Sequence, residues 1–377
     1  MVYVVQKLPK MYHNMTLDEF LFSNGEFNSS VKNYKETSTR TDIVNERNLK
    51  PANVDYLIRV LVDFNNRWAY LKDVDRKELY HHFVIPKKNG KYRPIDAPND
   101  DLKLALRNLK YIFESEFGAL YHTNAYAYIP GRSTLDAVKR HQFNESNWFA
   151  KYDLSNFFGS TTIEYIVKML SMIYPFSEVV KIPAGKQNLE SALDLCVLNG
   201  VLPQGTPISP MLTNLIMIPV DYKLSRALQD FNKQHFVYTR YADDFIISSV
   251  YDFSFREIER LIVDTLKQFD APFSVNKQKT RYGSRAGQNF NLGIMLNKDN
   301  QITIGRKKKK EFENLLHAFA TDQKNGSPWP IEDVRSLDGQ KNYYKMIEGE
   351  TIDKIIAFMS ERTGYDIIGG IKAALKS

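Results

Sequence analysis

Residues 236–247 read Phe-Val-Tyr-Thr-Arg-Tyr-Ala-Asp-Asp-Phe-Ile-Ile, two apolar runs with adjacent carboxylates between them. β-Branched and aromatic residues dominate both runs, so each predicts a strand. The short acidic join predicts a hairpin with Asp243 and Asp244 at its tip. Neighbouring carboxylates repel, and oxygen ligands suit a hard cation such as Mg²⁺. Taken alone, the pair fits a solvated acidic turn as well as a cation site.

The formal net charge is +7. That balance favours an anionic partner, nucleic acid first. The 22 Tyr and 23 Phe supply rings for a large core and for stacking on bases. Cys196 is the single cysteine, which excludes an internal disulfide and a Cys-rich zinc module. No run approaches the ~18 apolar residues of a membrane span, and the first residues lack an apolar stretch of signal-peptide length. A cytoplasmic protein without a membrane partner is expected.

Along the chain, apolar spacing predicts a helix from Ala52 to Lys72. Phe83 to Pro98 predicts a hairpin around Asn89-Gly90. Its Lys87, Lys88, Lys91 and Arg93 fit either a solvated basic turn or a cationic flap over phosphates. From Ala125 a strand is expected to meet Pro130-Gly131, with Ser133 or Thr134 capping the next helix. Arg132 beside that helix start suits an anion. Trp148 to Phe158 predicts a strand that ends at Asp153. Gly200 to Pro210 is a turn-rich loop that enters a helix at Ser209-Pro210, and Pro219 should kink or end that helix. Beyond the acidic hairpin, a helix over Phe255–Phe269 precedes a strand expected over Phe273–Lys279. A hairpin across Asp299-Asn300 follows. The run Arg306-Lys307-Lys308-Lys309-Lys310 opens a helix, where positive charge opposes the macrodipole and points to an external anion. Thr321–Pro330 reads as a linker to a helical tail.

Together these stretches resemble the reverse transcriptases, specifically the bacterial branch of group II intron, retron and defence-associated enzymes. The carrying residues are Pro86 to Pro94, Pro130-Gly131-Arg132-Ser133, Asp153 with Phe157-Phe158, Leu202 to Pro210, Tyr241-Ala242-Asp243-Asp244, Lys279-Thr280 and Leu292-Gly293. They occur in the family's order from about Phe83 to Gly293.

The resemblance implies an α+β right-hand polymerase fold with an antiparallel palm sheet packed on helices. Residues 1–82 would be an N-terminal helical extension and 83–150 the fingers. Residues 151–290 would be the palm with part of the fingers, and 291–377 the primer-grip hairpin and helical thumb. It implies two-metal nucleotidyl transfer, with Asp153, Asp243 and Asp244 as carboxylate ligands and the Leu154 carbonyl as a further one. Two Mg²⁺ ions are the expected cofactors, with Mn²⁺ as an alternative. Lys87 and Arg93 would hold the nucleotide's β- and γ-phosphates, with Arg132 as a further substrate contact. Phe158 would stack under the deoxyribose and exclude a 2′-hydroxyl, which makes dNTPs the substrate. Gln204 and Gly205 would line the nucleotide and template pocket. Lys279 would protonate the departing pyrophosphate, and Arg306 to Lys310 would track the nucleic-acid backbone.

Retron enzymes carry Val-Thr-Gly where this chain has Asn291-Leu292-Gly293, and from the length after the basic run no RNase H or HNH domain is expected. The expected enzyme is therefore a compact, defence-associated reverse transcriptase of the abortive-infection kind. It would make cDNA on an RNA template, a structured non-coding RNA, in bacterial anti-phage defence. Template-independent or protein-primed synthesis, a retron enzyme, a non-catalytic RNA scaffold and a homo-oligomeric state stay open at this point.

Overall fold

The computed structural model describes residues 40–86, 90, 92–117, 121–231, 235–287 and 290–376. Lys87, Lys88, Asn89 and Lys91 of the basic hairpin, and the expected N-terminal extension as far as residue 39, lie outside the described residues. Helix α1 (Arg40–Arg67) starts before the predicted Ala52 and sets Leu57, Leu61 and Phe64 in the main core. Strands β1 (Tyr80–Pro86) and β2 (Tyr92–Pro98) form the predicted antiparallel hairpin. Its Phe83, Val84, Ile85 and Tyr92 are exposed. Helix α2 (Asp100–Phe117) follows.

The strand expected from Ala125 does not form. Only an isolated parallel bridge joins Ala125 to Arg240. Tyr128 then turns the backbone left-handed at φ 60, which ends extended pairing. Helix α3 (Thr134–Phe143) opens with a capping box between Ser133 and Asp136.

Strand β3 (Trp148–Ser155) is the axis of the central antiparallel sheet. Helices α4 (Ile163–Leu170), α5 (Phe176–Val179) and α6 (Pro183–Asp194) pack beside it. Helix α7 (Ser209–Ile216) starts at Ser209-Pro210 as expected, and the Thr206 hydroxyl accepts from the Ser209 N–H. Pro219 falls in the first turn of a new helix, α8 (Ile218–Gln229), so it divides two helices as expected.

Strands β4 (Val237–Tyr241) and β5 (Asp244–Ser249) are the predicted acidic hairpin. Helix α9 (Phe255–Gln268) leads to β6 (Ser274–Val275) and β7 (Arg281–Ser284). β3 pairs β5 along one edge and both β6 and β7 along the other. The strand expected to reach Lys279 thus stops at Val275. A turn interrupts it, closed by Lys279 N–H donating to the Asn276 carbonyl.

Period-two alternation gives the sheet two different faces. Ala150, Tyr152, Phe245 and Ile247 enter the main core. Phe149 and Ile246 face the other way, under Leu135 and Val138 of α3. On that second face also lie Ile294 and Leu296 of a small sheet, β8 (Phe290–Asn291), β9 (Ile294–Leu296) and β10 (Ile302–Thr303). Helices α10 (Arg306–Lys324), α11 (Ile331–Thr363) and α12 (Ile367–Ala374) enclose a separate core of Phe312, Leu316, Phe319, Leu337 and Ile356. The expected linker is part of this unit. Trp329 packs edge-on against Phe319 and donates to Asp322.

Candidate active site

The acidic hairpin closes through the two-residue join Ala242-Asp243, with Tyr241 paired to Asp244. Ala242 takes φ 57, a left-handed conformation that glycine adopts more readily than alanine. Asp153 is the direct cross-strand partner of Asp244. The Leu154 N–H donates to the Asp243 carbonyl at 3.0 Å, which ties the tip to β3. The Leu154 side chain itself lies in the core. Three carboxylates from two distant stretches therefore meet at one end of the sheet.

Two lysines enter the same region. Lys151 sits two residues before Asp153 on the same strand face and pairs with Asp244 at 2.8 Å. Lys279 donates to both Asp153 oxygens at 2.8 and 3.0 Å. It does so from the turn between β6 and β7, which the Asn276 N–H pins to the Asp153 carbonyl at 2.7 Å. Lys151 was not legible as a site residue, although its even spacing from Asp153 placed it on that face.

The electrostatics are those of crowded carboxylates. Burial, and then Asp244 and Asp153, raise the Asp243 carboxyl above its ordinary range. Burial also raises Asp244, with Lys151 opposing it. The hydrogen bond to Asp153 holds the Lys279 ammonium above its ordinary range. Among the described residues, no group of three His, Cys, Asp or Glu side chains stands in a ready metal-ligating arrangement. Two of the carboxylates are engaged by ammonium groups instead. The donor set nonetheless suits a hard cation. Asp244 Oδ1 is buried without a hydrogen-bond partner, and the carboxylates outnumber the lysines beside them.

Around this centre, Phe158 lies just past β3, half-buried against Phe157. Gly205 has φ 124, and a Cβ there would stand 2.8 Å from the Asp96 carbonyl. The Gln204 carbonyl accepts from the Asp96 N–H at 2.7 Å, so this loop is docked on β2. Arg93 is exposed on β2, and its charge acts on Tyr128, which also feels Asp243. Tyr128 is 47% exposed, with its ring 6.5 Å from that of Tyr241. Lys87 lies outside the described residues.

Two placements differ from a simple anion-binding reading. Arg132 Nη1 donates to the His122 and Ala125 carbonyls, each at 2.6 Å, so the guanidinium organises the loop before α3. In the basic run, Lys308 bonds the Gly293 carbonyl and Lys309 pairs with Glu348 at 2.7 Å. Those two lysines fasten α10 to the β8–β9 turn and to α11. Arg306, Lys307 and Lys310 are exposed.

Comparison with known proteins gives one family. The profile described as Reverse transcriptase (RNA-dependent DNA polymerase) matches residues 85–315. The chain is 27% identical over 297 residues to the Retron Ec83 reverse transcriptase of Escherichia coli, covering 75% of this chain and 88% of that protein. It is 29% identical over 282 residues to the Retron Ec73 reverse transcriptase of Escherichia coli, covering 72% and 84%. Among solved structures, apo telomerase from Candida Tropicalis aligns with a TM-score of 0.44 at 10% identity, over 78% of this chain and 61% of that one. Both of these relatives are named as retron reverse transcriptases.

Proposed function

The chain belongs to the reverse transcriptase (RNA-dependent DNA polymerase) family, and on that premise we propose that it copies a structured non-coding RNA into cDNA by two-metal nucleotidyl transfer. The observation that carries the reading is the cross-strand pair of Asp153 and Asp244, with Asp243 in the adjoining turn. Its retron relatives support RNA as the template class. The resemblance to the bacterial branch motivates anti-phage defence as the setting, and that role is part of the proposal.

Asp153, Asp243 and Asp244, with the Leu154 carbonyl, would hold two Mg²⁺ ions, or Mn²⁺ in their place. When bound, the ions supply Lewis acidity to the attacking and leaving oxygens. The primer 3′-hydroxyl would lose its proton to solvent water as its oxygen attacks the α-phosphorus, and the bond from that phosphorus to pyrophosphate breaks. Lys279, an ammonium at neutral pH, would give its Nζ proton to the departing pyrophosphate. Arg93 can fork onto the triphosphate, with Lys87 as its partner in this role. Gln204 and Gly205 would border the base through a loop that Asp96 holds in place. The Phe158 ring would crowd a 2′-hydroxyl and so select dNTPs. Arg306, Lys307 and Lys310 would follow the backbone of the bound duplex, Lys308 and Lys309 fixing the helix that carries them.

The test is incorporation of labelled dNTPs by the purified protein with its co-purified RNA and Mg²⁺. Wild-type incorporation that ribonuclease pretreatment abolishes, and that Asp243→Ala lacks, supports the reading. Equal background in both proteins would leave an RNA-binding scaffold. Synthesis that survives removal of all RNA would make it template-independent.

A further inference from the structure

Two non-glycine residues beside the carboxylates hold left-handed backbone, Tyr128 at φ 60 and Ala242 at φ 57. Such conformations persist where the surroundings over-determine them. A buried polar cluster reaches both. Arg240 lies on the core face of β4, opposite Phe245, and is 1% exposed. Its Nε donates to Asp221 Oδ1 at 2.8 Å, and its Nη2 donates to Oδ2 at 2.7 Å. The Tyr238 hydroxyl donates to the same carboxylate at 2.6 Å. Nη1 of Arg240 then serves two acceptors at 3.1 Å, the Ala242 carbonyl and Asn214 Oδ1. Asn214 passes the connection on, its Nδ2 donating to the Ala127 carbonyl at 2.6 Å.

One guanidinium thus touches the residue before Asp243 directly and the residue before Tyr128 through one amide. Burying an ion pair brings little net stability, because desolvation offsets the attraction. An apolar pair would fill the same space. What an apolar pair lacks is a rigid fork able to fix two carbonyls at set distances. We propose that Arg240 is a positioning residue: with Asp221 and Asn214 it locks the Ala242–Asp243 turn to the Tyr128 loop and so sets where the Asp243 carboxylate stands. The proposal rests on the reading of Asp243 as a reaction carboxylate. Arg240 itself touches no reacting atom, since it lies beneath the sheet, on the face away from Asp153 and Lys151.

The test uses Asn214→Ala, which leaves the Asp221–Arg240 pair intact, and Arg240→Lys, which keeps the buried charge but loses the fork. Rates are measured against dNTP and Mg²⁺ concentration, and thermal unfolding is measured in parallel. Both variants are expected to lose about tenfold in kcat with dNTP KM within about twofold. Both should need more Mg²⁺ for half-maximal rate. Adding Ala242→Gly to Arg240→Lys should recover part of kcat, because glycine holds φ 57 without a clamp. Glycine at a left-handed position also stabilises the fold as a whole, so the recovery of kcat must exceed the gain in folded fraction that the parallel melts record. Wild-type kcat and Mg²⁺ dependence in both single variants would overturn the proposal. So would a loss that merely follows the unfolded fraction, or a double variant no better than Arg240→Lys. Asp243→Ala runs alongside: were it fully active, the reading of the carboxylates would fail, separately from the clamp.

Discussion

Lys279 reaches both oxygens of Asp153 from a turn that interrupts the strand beside it, and the same turn donates a backbone N–H to the Asp153 carbonyl. The lysine side chain is 60% exposed, so this ion pair contributes little to stability. Its proposed task is proton transfer. Lys279→Ala should lower kcat by about a hundredfold, the low end for a general acid, while the unfolding midpoint barely moves. Single-turnover incorporation and a thermal melt on the same sample check both halves. An unchanged rate would remove Lys279 from the chemistry.

Asp243 predicts an opposition between activity and stability. Its carboxyl is raised by burial and by Asp244 and Asp153. The folded state therefore binds the Asp243 proton more tightly than the unfolded chain does. Without a divalent cation, stability is lost as pH rises through the folded value. Asp243→Asn should accordingly melt higher than wild type in EDTA near pH 7 while abolishing polymerisation. Added Mg²⁺ should raise the wild-type melting temperature and leave the variant's almost unchanged. A variant that melts lower than wild type in EDTA would contradict the electrostatic account.

Phe158 lies half-buried, with only part of its ring in the core. Phe158→Ala should admit ribonucleotides and lower the ratio of dNTP to NTP kcat/KM by about tenfold or more. Competition between labelled dNTP and NTP reads that ratio directly. A variant that discriminates as sharply as wild type would place the ring in packing alone.

The basic start of α10 divides into two groups. Arg306 and Lys307 are exposed, whereas Lys309 pairs with Glu348. Replacing Arg306 and Lys307 by Ala should weaken duplex binding uniformly across sequences. It should also reduce the slope of log K against log salt by about 1.4 to 1.8. Lys309→Ala should mainly lower stability, because it leaves the largely buried Glu348 short of its cation. Binding titrations over a salt series and melts of each variant separate the two effects.

His141 is a buried histidine between the Ser248 and Thr239 hydroxyls, and burial pushes it down to about 3. Burial likewise pushes His122 down to about 4. The unfolded chain takes up these protons near pH 6.5 and the folded chain does not. Stability is therefore complete above pH 6.5 and falls as pH drops toward those lower values. His141 alone should remove on the order of 2 kcal/mol by pH 5. Denaturant unfolding at several pH values, with His141→Gln as the flatter reference, measures it.

The features legible in the sequence are those that local chemistry dictates. The runs around Asp243-Asp244 are strands because their residues suit a half-buried pleat. The cap at Ser133 and the helix break at Pro219 follow from side-chain and ring geometry within a few residues. The order of Asp153, the Leu202–Pro210 loop and Asp243-Asp244 was enough to point to the family. What the tertiary structure alone decided concerns where long or charged side chains turn. Arg132 caps carbonyls, Lys308 and Lys309 fasten elements, and the strand toward Lys279 breaks because β6 and β7 each pair with a different part of β3. Arg240 and Asp221 left only a faint trace, a charge inside each of two apolar stretches. Each such group must find an acceptor or a counter-charge once water is removed. Its partner lies far along the chain, so the choice is made when the sheet, the loop before α3 and helices α7 and α8 close together. The sequence by itself determined three carboxylates at the ends of two strands. Packing determined which cations face them and which buried guanidinium holds their turn.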